Sequence, residues 1–158
     1  MSYYKHQEYD FVQRTKKIIN QYDSIIINEK EKFEVTLLIN CFVGLLMTPQ
    51  QYWIDQIPQT LIRNKEWGLK KEYFRVCKDT SGNELLDLRQ VTRHLRNSVA
   101  HYSFKTFNNQ NHVIKSIKFT DKKNRTEITF EAEIPISNLK DFLNHLSDWF
   151  LNEMKKNQ

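Results

Sequence analysis

Phe33 to Met47 reads FEVTLLINCFVGLLM and is apolar on almost every side of a helical projection. A helix with no polar face is stable in water only when neighbours cover it from several directions. This run therefore predicts the central helix of a bundle. It is interrupted by Thr36 and Asn40 and falls short of the roughly 20 residues that a membrane span needs, so no membrane partner is expected. Thr48-Pro49 ends it, because proline disfavours helical geometry in the residue before it. The 158 residues are one domain's worth, and 1–158 is read as a single domain. Only three glycines and three prolines are present, which argues against long turn-rich stretches and for helices.

Other segments follow the same period. From Tyr3 to Asn28, the positions Phe11, Ile18, Tyr22 and Ile25 fit one face of a long first helix, and NEKEK separates it from the central one. Gln50 to Ile57 predicts a short helix bounded by Pro58, with Tyr52 and Trp53 covering the end of the bundle. Asn138, with Asp141 three residues on, can start a last helix that buries Leu139, Phe142, Leu143, Leu146, Trp149 and Phe150 and leaves His145 in water. Between Leu61 and Asn83, Trp67, Tyr73 and Phe74 alternate with Lys and Arg. Such a mixture can hold single-stranded nucleic acid, but an irregular segment that packs its rings and solvates its lysines is the preferred reading. Ser81-Gly82-Asn83 marks a turn. After a loop at FNNQN, two alternating runs follow: Val113, Lys115, Ile117 and Phe119 on one face, then Ile128, Phe130, Ala132, Ile134 and Ile136, with the turn at Asp121 to Asn124. The expected fold class is thus mainly α, an up-and-down helical bundle with a β-hairpin inserted at about 112–136, before the last helix.

Leu85 to Phe104 is the stretch that carries chemistry. Leu88, Val91, Leu95, Val99 and Tyr102 fall on one stripe, expected to face the core. The opposite side centres on Asn97, flanked by Arg93, His94, Ala100 and His101, with Arg89 and Arg96 on the shoulder and no acid from Arg89 to His101. Asn97 and His101, four apart, can meet on one face, whereas Arg96 and His101, five apart, point away from each other on a straight helix. They would close on one phosphate more easily if the helix frayed after Ala100, or if a second copy faced the first. Arg-x4-His occurs twice, as Arg89/His94 and Arg96/His101. Only the second copy has Asn directly after the Arg and lies at the helix end.

Arg96-Asn97-Ser98-Val99-Ala100-His101 resembles the RNxxxH signature of HEPN domains (higher eukaryotes and prokaryotes nucleotide-binding). These are all-α domains that, when active, are metal-independent endoribonucleases with a composite site at a dimer interface. The resemblance implies a HEPN-like bundle, a homodimer, and RNA as substrate, cut by attack of its own 2′-hydroxyl. It assigns proton transfer to His101, phosphate stabilisation to Arg96 and orientation to Asn97, with Arg93, Arg89 and His94 in an RNA-binding strip. It further implies a toxin or defence effector, with a cognate antitoxin as partner. The alternative is a non-catalytic member that binds RNA, a nucleotide or a protein partner. Without the Arg-Asn context, a helix-end histidine interacting with the last carbonyls is the preferred account of His101, and Arg96 could equally anchor a carboxylate from another helix.

The formal charge of +5, from 24 Lys and Arg against 19 Asp and Glu, is compatible with a nucleic-acid partner, and only its clustering would discriminate. Cys41 and Cys77 form neither a metal-ligand pair nor a redox motif, and a reducing compartment is expected. MSYYKHQEYDF lacks an apolar signal core, so the expected location is cytoplasmic. No HxxxH, HExxH, glycine-rich phosphate loop or GxSxG elbow is present, and neither a metal nor another cofactor is expected.

Overall fold

The computed structural model describes residues 5–24, 34–110 and 113–157. Tyr3, Ile25 to Phe33 and His112, which the sequence reading placed in the first two helices, their connection and the hairpin, lie outside these residues. Helix α1 (Gln7–Ser24) buries Val12, Thr15 and Ile19 against α2 and α5, whereas Ile18 is exposed. The inward face is therefore turned by one residue from the expected one. Helix α2 (Glu34–Met47) buries Leu38, Cys41, Phe42, Leu45 and Leu46, and its Leu37, Ile39 and Val43 pack on the same core. It is covered from several sides, as its apolar circumference requires. Helix α3 (Gln51–Gln56) is tied to α1 through Glu8, whose carboxylate accepts from Gln50 N at 2.6 Å and from Trp53 Nε1 at 3.2 Å. Trp53 packs on the core and Tyr52 stands in solvent.

Helix α4 (Leu88–Ala100) begins at Asp87, a buried N-cap that accepts from Gln90 N at 2.7 Å. Helix α5 (Ile136–Lys156) begins two residues before the expected start, after Pro135. Asn138 does not cap it but donates its amide to Gly68 O at 2.8 Å. The expected inward face holds, with Leu139, Phe142, Leu143, Leu146 and Phe150 buried, and His145 is exposed.

The mainly-α expectation is overturned by the strands. A two-stranded ribbon, β1 (Lys65–Glu66) and β2 (Leu69–Lys70), precedes a four-stranded antiparallel sheet. The sheet comprises β3 (Phe74–Cys77), β4 (Phe104–Asn108), β5 (Ile114–Lys123) and β6 (Glu127–Pro135), in the order β3-β6-β5-β4. The expected hairpin is present as β5 and β6. It is the middle of a sheet, however, not an appendage to a bundle. A lone two-stranded hairpin is marginal in water, and here each of its strands gains an outer neighbour. One comes from the stretch read as irregular and the other from the expected helix end and FNNQN loop. FRVC and FKTFN are too short for alternation to have marked them.

Strands β5 and β6 slip in register at Asp121: Asp121 faces Phe130 and Lys122 faces Ile128, so Thr129 is an extra residue. Thr129 and Phe130 are consequently both buried and Ile128 is turned to solvent. The expected face survives at Phe130, Ala132 and Ile134 but not at Ile128. The strands extend to Lys123 and from Glu127, which puts Asp121 inside β5 and not in the turn. Helix α4 and helix α5 both pack on this sheet, and α2 packs on both helices. The Phe42 ring lies edge-on to Phe119 of β5 at 5.5 Å and to Phe142 of α5 at 6.4 Å, so α2, α5 and the sheet share one core. Among the described residues no helix is long and apolar enough to cross a membrane.

Candidate functional site

Helix α4 is buried over more than half its circumference. Leu88, Val91, Leu95 and Val99 form the expected stripe, and Gln90, His94 and Ser98 are buried as well. The buried arc is wide because the helix has helices on one side and β5 on the other. The hydroxyls of Thr92 and Ser98 donate to the carbonyls of Leu88 and His94, which satisfies them inside the core. Only the strip holding Arg89, Arg93, Arg96, Asn97 and Ala100 reaches solvent. Tyr102, expected on the inward stripe, is 81% exposed. It takes a positive φ of 52°, which ends the helix and turns the chain into β4.

His94, expected in the RNA-binding strip, is only 6% exposed. Its ring lies parallel to Phe130 at 4.9 Å. Nδ1 is 2.8 Å from Asp121 Oδ2, and Nε2 is 2.7 Å from the Lys78 carbonyl, which also accepts from Gln90 Nε2 at 2.9 Å. Gln90 Nε2 also lies 3.1 Å from His94 Nε2, so both ring nitrogens are held by polar partners inside the protein. The same carboxylate oxygen accepts from Asn97 Nδ2 at 2.9 Å, and Asp121 Oδ1 accepts from Lys122 N. Burial pushes the Asp121 carboxyl up, but the hydrogen bonds from His94 and Asn97, the attraction of His94 and the Lys122 N–H outweigh it, and the group lies below its ordinary range. Asp121 therefore joins the motif helix to the sheet. The sequence carried no signal for this, since an aspartate beside Lys-Lys-Asn reads as a turn residue.

The remaining motif residues diverge. The Arg96 guanidinium donates to Gln51 Oε1 on α3, and Gln51 is itself held by a hydrogen bond to Asp55. His101 is the C-cap of α4: its N–H donates to the Asn97 carbonyl and its imidazole stands in solvent. Within one chain Arg96 and His101 are not brought together, as their five-residue spacing implied. Arg89 Nε donates to the Ile57 carbonyl at 2.6 Å, satisfying the end of α3. Arg93, His94 and Asn97 line a depression of about 260 Å³ between α4 and the bulge, with Asp121, Lys122 and Lys123 on its other wall. Neither Arg96 nor His101 lines it. Among the described residues no group of three or more His, Cys, Asp or Glu side chains is placed to hold a metal ion.

An Arg-Asn-x3-His sequence that closes a packed helix and leaves its histidine in water is that of a HEPN domain. Comparison with family models agrees: the HEPN pEK499 p136 family matches residues 1–157, and the chain belongs to it. Membership points to an RNA-related function, HEPN domains often being ribonucleases. No curated protein and no solved structure matches the chain.

Proposed function

We propose that this protein is a metal-independent endoribonuclease that cleaves RNA by attack of a 2′-hydroxyl on the adjacent phosphorus. The observation that carries the reading is the Arg96-Asn97-x3-His101 sequence at the solvent end of α4 in a chain of the HEPN family. Cleavage without a metal needs three things: removal of the 2′-hydroxyl proton, stabilisation of the phosphorane's charge, and protonation of the departing 5′-oxygen. An exposed imidazole can take up one proton and give one back, which suits both transfers. Arg96 supplies a permanent fork of donors that binds phosphate oxygens more tightly as charge accumulates. Asn97 gives one amide hydrogen to Asp121; its other amide hydrogen and its side-chain Oδ1 are left to orient substrate.

Arg96 and His101 aim apart within a chain, so the working unit is a two-fold homodimer in which each motif completes the other. In cells the activity would be that of a toxin or defence effector restrained by an antitoxin, and expression of the wild type should arrest growth where His101→Ala does not. A specific contact favours the non-catalytic alternative: Arg96 is already occupied by Gln51. Cleavage therefore requires that substrate displace this contact.

The test is incubation of single-stranded RNA with the protein in EDTA. Products should carry 2′,3′-cyclic phosphate and 5′-hydroxyl ends, and DNA, which lacks the nucleophile, should survive. Loss of a positioned acid–base group costs roughly 10²–10⁴-fold, so His101→Ala should nearly abolish turnover with an unchanged melt. Arg89→Ala should lower the melting temperature but cut RNA nearly as well, because that guanidinium serves the Ile57 carbonyl. Binding without cleavage by the wild type would leave the non-catalytic reading, and 3′-hydroxyl products or a Mg²⁺ requirement would end the metal-free mechanism.

A further inference from the structure

Among the described residues, most of the aromatic side chains are in the core or packed on it. Tyr102 and Phe107 are exposed, and both border a groove of about 410 Å³ on the outer face of β4 and β5. The positive φ of Tyr102 throws its ring outward, where it lies edge-on to Phe104 at 5.0 Å. The groove's polar wall is Lys105, Lys118, Thr120 and Lys122. Lys105 and Lys118 are directly opposite each other across the strands, a like-charge pairing that an anion would relieve. Lys118 is partly neutralised by Glu131 at 2.9 Å, but Lys105 and Lys122 have no ion-pair partner among the described residues. The adjoining depression on the same sheet face has the opposite character: Glu72, Glu131 and Glu133 gather there around Arg75, and Phe107 and Lys118 stand on the border between the two. An anionic chain is thus directed to the β4/β5 half. The groove's first lining residue, Tyr102, directly follows His101 in the chain.

We infer that this groove is the path of single-stranded RNA into the cleavage site, with unpaired bases stacked on Tyr102 and Phe107 and phosphates at Lys105 and Lys122. The inference rests on the nuclease reading in that it places the groove beside the cleaving histidine. Exposed rings interleaved with unpaired lysines are the chemistry that holds unpaired nucleotides, because every base offers a flat face and every linkage a charge. A paired duplex hides its bases from such rings. The basic and aromatic residues of the Leu61–Asn83 stretch do not offer this, as Trp67, Tyr73 and Phe74 pack against the core.

The test is fluorescence-anisotropy binding of a single-stranded 2′-O-methyl RNA to the full chain, since that RNA lacks the attacking hydroxyl and cannot be cut. Tyr102→Ala and Phe107→Ala should each weaken binding roughly ten-fold. Lys105→Glu should weaken it further and flatten its salt dependence, and a duplex of the same sequence should bind less well than the single strand. All three side chains are exposed or half-exposed, and each variant's melt is measured alongside. If the three folded variants bind like the wild type, or the wild type does not bind, the groove is refuted. A wild type that binds through these residues yet leaves ordinary RNA intact keeps the groove and refutes the nuclease. A wild type that cuts while the variants bind and cut equally well does the reverse.

Discussion

Replacing Asp121 by alanine should uncouple the motif helix from the sheet. The carboxylate accepts from His94 Nδ1 at 2.8 Å, from Asn97 Nδ2 at 2.9 Å and from Lys122 N at 2.9 Å. Its loss leaves a buried imidazole N–H facing no acceptor. Leaving a buried donor without its acceptor costs about 1–3 kcal/mol, and more where the lost partner is a carboxylate. Here the depression reaches the Asp121 side chain, which is 12% exposed, so water can take over part of its role. We therefore expect a loss of about 2–3 kcal/mol, which in a chain of this size lowers the melting temperature by roughly 5–10 °C. Asp121→Asn keeps an acceptor oxygen and should cost about 1 kcal/mol. Thermal and urea unfolding followed by circular dichroism would measure both. In a double-mutant cycle with His94→Leu the two losses should not add, because the second variant removes the group that needs the acceptor. The pH dependence has a defined sign. The folded carboxyl lies below its ordinary 3.8, so its stabilisation is complete above the unfolded pKa and disappears as pH falls through the lower, folded value. The gap between wild type and Asp121→Asn should be full at about pH 6 and shrink as pH falls below 3.8 and through the lower, folded value. A melting temperature for Asp121→Ala within a degree or so of wild type, or strictly additive losses in the cycle, would refute the argument.

Two further outcomes follow from backbone and burial. Gly68 has φ +82°, and a Cβ there would sit 2.5 Å from the Asp141 Cβ and 3.0 Å from the Asn138 carbonyl. Gly68→Ala should therefore push the β1–β2 turn off α5 and cost at least about 2 kcal/mol. At Gly82, with φ +91° and nothing within 4 Å, the same change should cost only about 1 kcal/mol through added backbone strain, and equal losses in thermal melts would contradict this. The Cys77 thiol is pushed up to about 12 by burial and by the negative Asp87, and it donates to the Leu85 carbonyl. The thiolate is the reactive form, so iodoacetamide at about pH 8 should label Cys77 only after unfolding; rapid labelling of the folded protein, read by mass spectrometry, would count against its burial.

The amino-acid sequence by itself determined the helices that carry their own period. The circumference of α2, the Leu88/Val91/Leu95/Val99 stripe of α4 and the Leu139-to-Phe150 face of α5 were legible because an apolar stripe is written every three to four residues along one segment. The two long alternating strands were legible for the same reason, and so was the divergence of Arg96 and His101, which depends only on their spacing. Tertiary structure alone decided which segments come back over these faces. Strands β3 and β4 are short, and they exist because β6 and β5 had open backbone edges to satisfy, a pairing that no local pattern records. The polar side of α4 looked solvated from its residues, yet Asp121, 27 positions downstream of His94, arrives on a bulge and buries that ring against Phe130. A helical period states which side chains share a face. Whether a polar face meets water or another polar group depends on long-range packing, which is why His94 is buried while His101, the C-cap of the same helix, is exposed.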